Sequence, residues 1–312
     1  MPEGDTIFRA ARTLHRALSR KVVTRFESVF PAVTRVADDH PVVGRTIESV
    51  GARGKHLLMT FSSGGGAPRA GDEALVLHTH MRMNGSWHIY PAGARWQRPA
   101  RDMRVIVGTA DAVAVGFNVP IAELLTPHQL ARHKELQALG PDLLSDVGRP
   151  DRLRQGYGGP PKPLAKVEGL RDDTFDRGEV MRRIRGHEQD AIGDALLNQR
   201  VVAGIGNVLK SEILFIAGID PFAPVRCLTD VDLDRVIDVA RDQLAASVID
   251  RSQALHPVIG RRTTRSMDPG AKLWVYSRGG KPCRRCGATI LSKKTGLDAR
   301  LTYWCPMCQA RR

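Results

Sequence analysis

No stretch of this 312-residue chain approaches a membrane-spanning hydrophobic run, so an α-helical membrane protein is not expected. The start also lacks the basic segment followed by an apolar segment that a secretory signal needs, and a cytoplasmic protein in a reducing compartment is expected. No internal repeat organises the sequence. The Gly204-Ile205-Gly206 turn lacks the third glycine and the preceding strand of a dinucleotide site, and no redox or nucleotide cofactor is implied. Acids are scarce at one end: residues 259–312 hold 13 Lys and Arg against Asp268 and Asp298, so that 54 residues carry +11 of the net +14. A tail of this charge fits a polyanion, with nucleic acid as the expected partner.

What is present fits a soluble globular protein: 42% hydrophobic residues over a length sufficient for two cores. Cysteine is used sparingly, and four of the five form Cys283-x2-Cys286-x18-Cys305-x2-Cys308. In a reducing compartment this spacing predicts one tetrahedral four-thiolate Zn2+ site, structural because no coordination position stays open. Cys227 is left over and is expected to be a small buried hydrophobe.

The chain opens Met1-Pro2-Glu3-Gly4-Asp5. With Met1 removed, the terminal nitrogen is a secondary α-amine that titrates near ~7.8 against about 10.4 for lysine, and is correspondingly more nucleophilic at neutral pH. Glu3 supplies a carboxylate beside it, and Asp5 is expected to cap a helix whose apolar stripe is Ile7, Ala11, Leu14 and Leu18. Residues 21–30 read as extended, 46–52 and 55–61 as a hairpin turning at Arg53-Gly54, 74–80 and 86–90 as strands around Asn84-Gly85, and 103–107 with 112–117 as another hairpin. Short strands with regular turns predict a β-sandwich. Near Leu124 the pattern turns helical, with Thr126-Pro127 as a helix start, and Thr229 with Asp232 opens a later helix facing inward through Leu233, Val236, Ile237, Ala240, Leu244 and Val248. Residues 149–169 form a Gly/Pro-rich insertion, and 255–270 read as basic and irregular.

Four separated motifs, in order, resemble the Fpg/Nei family of formamidopyrimidine-DNA glycosylase and endonuclease VIII: the opening Pro2-Glu3-Gly4-Asp5, Gly54-Lys55-His56-Leu57-Leu58, the stretch Val202 to Glu212 around Gly206-Asn207, and Arg300 five residues before Cys305. The resemblance implies an α+β protein with an N-terminal β-sandwich and flanking helix in residues 1–122, a helical helix-two-turn-helix segment in 123–258, and a four-cysteine zinc finger in 270–312. It implies a bifunctional DNA glycosylase and AP lyase acting on damaged DNA as a monomer, with Pro2 as nucleophile, Glu3 as proton shuttle, and Lys55 and Arg300 in the active site. Asn207, expected to cap its helix, joins Lys210 and Arg300 in holding DNA, and Arg82, Met83 and Asn84 are the expected wedge, Met83 filling the space of a flipped nucleotide. Position 6 holds Thr6 where many relatives have an acid, and Val115-Gly116-Phe117-Asn118 replaces the Arg-Arg-Phe of the Fpg branch, which places the chain nearer endonuclease VIII and oxidised pyrimidines. The competing readings are a non-catalytic zinc-ribbon DNA-binding protein of the same fold and a glycosylase for oxidised purines.

Overall fold

A computed structural model describes residues 2–63, 73–145, 175–248, 261–264, 266, 268, 270–296 and 299–310. Met1, the glycine loop at 64–68, the Gly/Pro-rich insertion and much of the irregular basic stretch therefore lie outside the described residues. Among the described residues one compact unit ends at Ala138 and a second begins at Leu139.

The first unit starts with α1 (Gly4–Leu18), whose stripe of Ile7, Ala11, Leu14 and Leu18 is buried as the 3.6-residue period requires. Its N-cap is Glu3, not Asp5, and the Glu3 side chain makes no capping hydrogen bond to the helix. Asp5 sits in the first turn, accepts from the Thr6 amide at 2.7 Å, and there still opposes the positive end of the helix. Eight antiparallel strands follow in two sheets. One has the order β1 (Arg25–Ser28), β6 (Met103–Gly108), β7 (Ala112–Phe117), β5 (Ser86–Pro91); the other has β2 (Ile47–Arg53), β3 (His56–Phe61), β4 (Leu75–His80), β8 (Ile121–Leu125). The inner faces meet in one core: Leu57, Met59, Phe61, Leu75 and Leu77 pack with Val105, Val107 and Ala114, and the α1 stripe closes the layer.

Three features depart from the expectation. A helix, α2 (Pro31–Asp39), interrupts the strands, with Pro31 at its first position and Val33 in the core. The strands flanking Asn84-Gly85 do not pair: β4 bonds β3 and β8, and β5 bonds β7, so the turn carries the chain from one sheet to the other. Strands also continue through Leu125, because β8 buries Ala122 and Leu124 on one face and half-buries Ile121, Glu123 and Leu125 on the other, which hides its period. The expected Thr126 cap is present as a capping box with Gln129 at the start of α3 (Pro127–Ala131), followed by α4 (Lys134–Gln137).

The second unit contains α5 (Arg177–Arg185), α6 (Ile192–Leu197), α7 (Asn207–Ala217), α8 (Asp230–Val248) and the hairpin β9 (Leu291–Thr295) to β10 (Arg300–Trp304). Thr229 and Asp232 form the anticipated reciprocal cap of α8, and its six predicted apolar positions are all buried. Helix α7 packs against α6, α8 and β10 and buries nearly every residue. Cys227 corrects its expectation: it is exposed, because it ends a short turn of helix over Val225–Cys227 in which Val225 takes the inward position. No helix among the described residues is long and apolar enough to cross a membrane.

Candidate active site and nucleic-acid interface

In the first unit, Pro2 is half-buried and leads directly into α1, while Glu3 is fully buried at the helix N-cap and its main-chain carbonyl accepts the Thr6 and Ile7 amides. Helix α1 packs on β2 and β3, the strands that carry Lys55 between them. Arg53 pairs with His56, so the turn residues are Gly54 and Lys55, one later than the sequence suggests, and Gly54 takes the left-handed φ of 57° that such a turn demands.

The expected wedge loop divides its two methionines. Met81 is 2% exposed and joins the core, whereas Met83 is 62% exposed. Gly85 makes this possible: its amide bonds the Met81 carbonyl at 2.9 Å, and a Cβ there would stand 2.6 Å from that oxygen. Arg82 adopts φ 44°, projecting the loop. Arg82, Met83 and Asn84 line an open concavity of about 770 Å³ with Arg98, Arg104 and Asn118. Sequence reasoning missed those last three, because their approach depends on the pairing of β5, β6 and β7, Arg98 being held on His88 of β5 at 3.1 Å, and not on any local pattern. Arg104 is fixed there by the carbonyls of Arg101 and Met103, at 2.9 and 2.8 Å.

In the second unit, Gly206 is the N-cap of α7 and Asn207 is its first residue, so Asn207 does not cap. Its Nδ2 instead donates to the Leu301 carbonyl of β10 at 2.8 Å, and its buried Oδ1 has no hydrogen-bond partner among the described residues. Lys210 requires the larger correction. Expected at the DNA surface, it is 0% exposed, and its Nζ donates to Thr302 Oγ1 at 2.6 Å. On a helix packed on several sides, the position three residues after Asn207 points inward, and Lys210 braces the hairpin from behind. Arg300 is exposed at the open end of β10, opposite Thr295, with the exposed Lys293 and Lys294 on the paired strand.

Beyond this hairpin, the four cysteine sulfurs lie within 4.8 Å of one another, with Cys286 to Cys305 at 3.4 Å and Cys283 to Cys308 at 3.9 Å. A tetrahedron of ~2.3 Å metal–thiolate bonds has edges of about 3.8 Å, so the donor set fits a zinc-sized ion. Main-chain amides of Arg285 and Cys308 point at Cys283 and Cys305 sulfur at 3.4 and 3.5 Å, as thiolates held in turns require. Glu212 ties this module to α7: it is fully buried and accepts from the amides of Trp274, Val275 and Tyr276, each at 2.8 Å, and from the Thr263 hydroxyl.

The sequence matches the formamidopyrimidine-DNA glycosylase N-terminal domain over residues 1–120, the formamidopyrimidine-DNA glycosylase H2TH domain over 167–256, and the zinc finger found in FPG and IleRS over 280–311. It is 37% identical to the probable endonuclease 8 2 of Streptomyces coelicolor, across 99% of this chain and 94% of the relative. The chain belongs to the Fpg/Nei family. It is also 36% identical to the DNA-(apurinic or apyrimidinic site) lyase Nei2 of Mycolicibacterium smegmatis, across 99% of both chains, and 30% identical to endonuclease 8 of Escherichia coli, across 99% of this chain and all of that one. Its fold is that of the Lactococcus lactis Fpg in complex with DNA containing an abasic site: TM-score 0.70 at 21% identity, over 99% of this chain and all of the other. The expected α+β architecture of sandwich, helical H2TH segment and four-cysteine module is thereby established.

Proposed function

We propose that this Fpg/Nei protein is a bifunctional DNA glycosylase and AP lyase of base excision repair, acting as a cytoplasmic monomer on oxidised pyrimidines. One observation carries the chemistry: partly accessible Pro2 precedes Glu3, a residue wholly withdrawn from water at the N-terminal end of α1. Once Met1 is removed, the Pro2 nitrogen attacks C1′ of the damaged nucleotide. The N–C1′ bond forms as the glycosidic bond breaks, and the base leaves with a proton. Glu3 protonates the ring oxygen, the sugar opens, and an iminium joins Pro2 to C1′. This cation accepts the electrons released when a C2′ proton departs, so that the 3′ phosphate is expelled; a second elimination releases the 5′ phosphate.

Lys55, Asn207 and Arg300 hold the phosphates flanking the lesion. Exposed Arg300 supports that role, a guanidinium being suited to bidentate contact with phosphate, and Asn207 stands on the first turn of α7 beside the same hairpin. Arg82, Met83 and Asn84 enter the stack where the nucleotide has left, with apolar Met83 already exposed to do so. Cys283, Cys286, Cys305 and Cys308 hold one Zn2+, which orders the hairpin bearing Arg300 and takes no part in bond breaking. This reading divides the chain functionally into residues 1–122 for catalysis, 123–258 for H2TH contacts and 270–312 for the zinc-held hairpin.

Borohydride trapping on an abasic-site oligonucleotide tests it. A covalent adduct that disappears in Pro2→Gly, with affinity for the same DNA retained, is the expected result. Absence of any adduct from the wild-type protein would leave a binding protein instead.

A further inference from the structure

The outer face of the β2-β3-β4-β8 sheet carries a chain of polar groups that the chemistry above does not use. His56, His78 and Glu123 alternate onto this face, and His78 and Glu123 are directly paired across β4 and β8. His56 Nδ1 lies 2.8 Å from His78 Nε2; His78 Nδ1 lies 2.8 Å from Glu123 Oε2; and His133, just before α4, places Nε2 2.9 Å from the same oxygen. His56 and His78 are almost wholly buried. An apolar pair would fill this space without the desolvation cost of two imidazoles, so retention of the polar chain calls for a reason.

A single proton on each ring satisfies the whole chain. A carboxylate accepts only, so His78 Nδ1 carries a proton to Glu123. With one proton per ring, His78 Nε2 then accepts from His56 Nδ1–H. At the far end, His133 Nδ1 accepts the Leu136 amide at 3.2 Å, so its Nε2 is the protonated nitrogen facing Glu123. The three donor atoms of His78, Glu123 and His133 cluster within 4.8 Å, as a cation site would. A metal on His133 Nε2, however, would need that nitrogen unprotonated and Nδ1 protonated against a backbone N–H, and the separations to Glu123 are hydrogen-bond lengths.

The chain ends where two functional loops begin. His56 follows Lys55 immediately, and its ring packs edge-on against His80, with centroids 4.8 Å apart. His80 Nδ1 in turn accepts the Arg82 amide at 3.0 Å, the first residue of the wedge loop. We propose that Glu123 is a positioning residue which, through His78, locks His56 in a single tautomer and so holds the Lys55 turn and the base of the Arg82-Met83-Asn84 loop in register. This rests on the lyase reading in so far as Lys55 serves that reaction. Burial above all, with the Lys55 charge adding to it, keeps His56 well below its usual pKa, so the locked ring adds no positive charge beside Lys55.

The test uses the full-length, zinc-loaded protein labelled with 15N-histidine, comparing wild type with Glu123→Gln and Glu123→Asp. Ring 15N spectra at pH 7 are expected to show Nδ1–H for His56 and His78 and Nε2–H for His133 in the wild type. In Glu123→Gln the His56 and His78 signals shift or split between tautomers, and borohydride trapping slows about tenfold or more while affinity for abasic DNA holds within about twofold. Glu123→Asp, keeping the charge, recovers part of the rate. Because the Glu123 side chain is 41% exposed, the substitution leaves the fold standing, which equal melting temperatures check. Ring signals indifferent to Glu123→Gln, a wild-type trapping rate in that variant, or a second bound metal lost with Glu123 would each overturn the proposal. A wild-type protein that traps no DNA sinks the lyase reading alone, since the ring spectra still decide the relay.

Discussion

Asn207, on the first turn of α7, donates its side-chain amide to the main-chain carbonyl of Leu301, so the H2TH turn and the hairpin of the four-cysteine module share a hydrogen bond one residue from Arg300. The other end of that amide, Oδ1, is buried without a partner among the described residues. Asn207→Ala removes the tie that holds the hairpin of Arg300 to the H2TH turn. The expected cost is about 1 kcal/mol of stability, with a larger, salt-dependent loss of affinity for abasic DNA in fluorescence anisotropy. Unchanged affinity at low and high salt would dismiss Asn207 as a DNA contact.

Glu212 gathers three main-chain amides and one hydroxyl in a buried site. Glu212→Ala strands those donors, and a loss on the order of 3 kcal/mol is expected in urea unfolding, with Glu212→Gln losing less because the amide oxygen still accepts. Equal stabilities of the two variants would show that a neutral acceptor recovers nothing there, and Glu212→Gln as stable as the wild type would show that the charge is irrelevant.

Met83 offers its side chain to solvent, so Met83→Ala is expected to change stability by no more than about 0.5 kcal/mol. Excision of an oxidised pyrimidine from duplex DNA should nevertheless slow markedly, while cleavage of a preformed abasic site in single-stranded DNA changes little. An equal effect on both substrates would argue against a wedge.

The cysteine cluster should yield one zinc per chain on metal analysis, falling to none in Cys305→Ser. Chelation is expected to lower the melting temperature and abolish DNA binding together. DNA binding that survives metal removal would separate the hairpin from the interface.

Burial, then the charges of Arg82, His78 and Lys55, lowers His80 from 6.5 to about 4, and burial likewise holds His56 well below its usual value. Between 4 and 6.5 the unfolded chain therefore binds more protons than the folded one. Stability is complete above about 6.5 and declines as pH falls toward 4. Glu123, whose hydrogen bond to His78 pulls its carboxyl below the usual 4.5, keeps its contribution until below that value and does not cause the decline. Melting temperatures from pH 8 to 4 check this, and His80→Gln should flatten the slope.

The amino-acid order by itself determined the α1 stripe, the Thr126 and Thr229 caps, the hairpin around Gly54 and the four-cysteine cluster, because each is written within a few residues or in a fixed spacing. Where the pattern was ambiguous, as in β8 with apolar residues on both faces, reading by period failed. Only the tertiary structure could decide that Lys210 turns inward onto Thr302, 92 residues away, that Cys227 faces water, or that His78 meets Glu123 across 45 residues. A side chain's chemistry depends on which distant strand or helix closes over it, and no local periodicity encodes that neighbour.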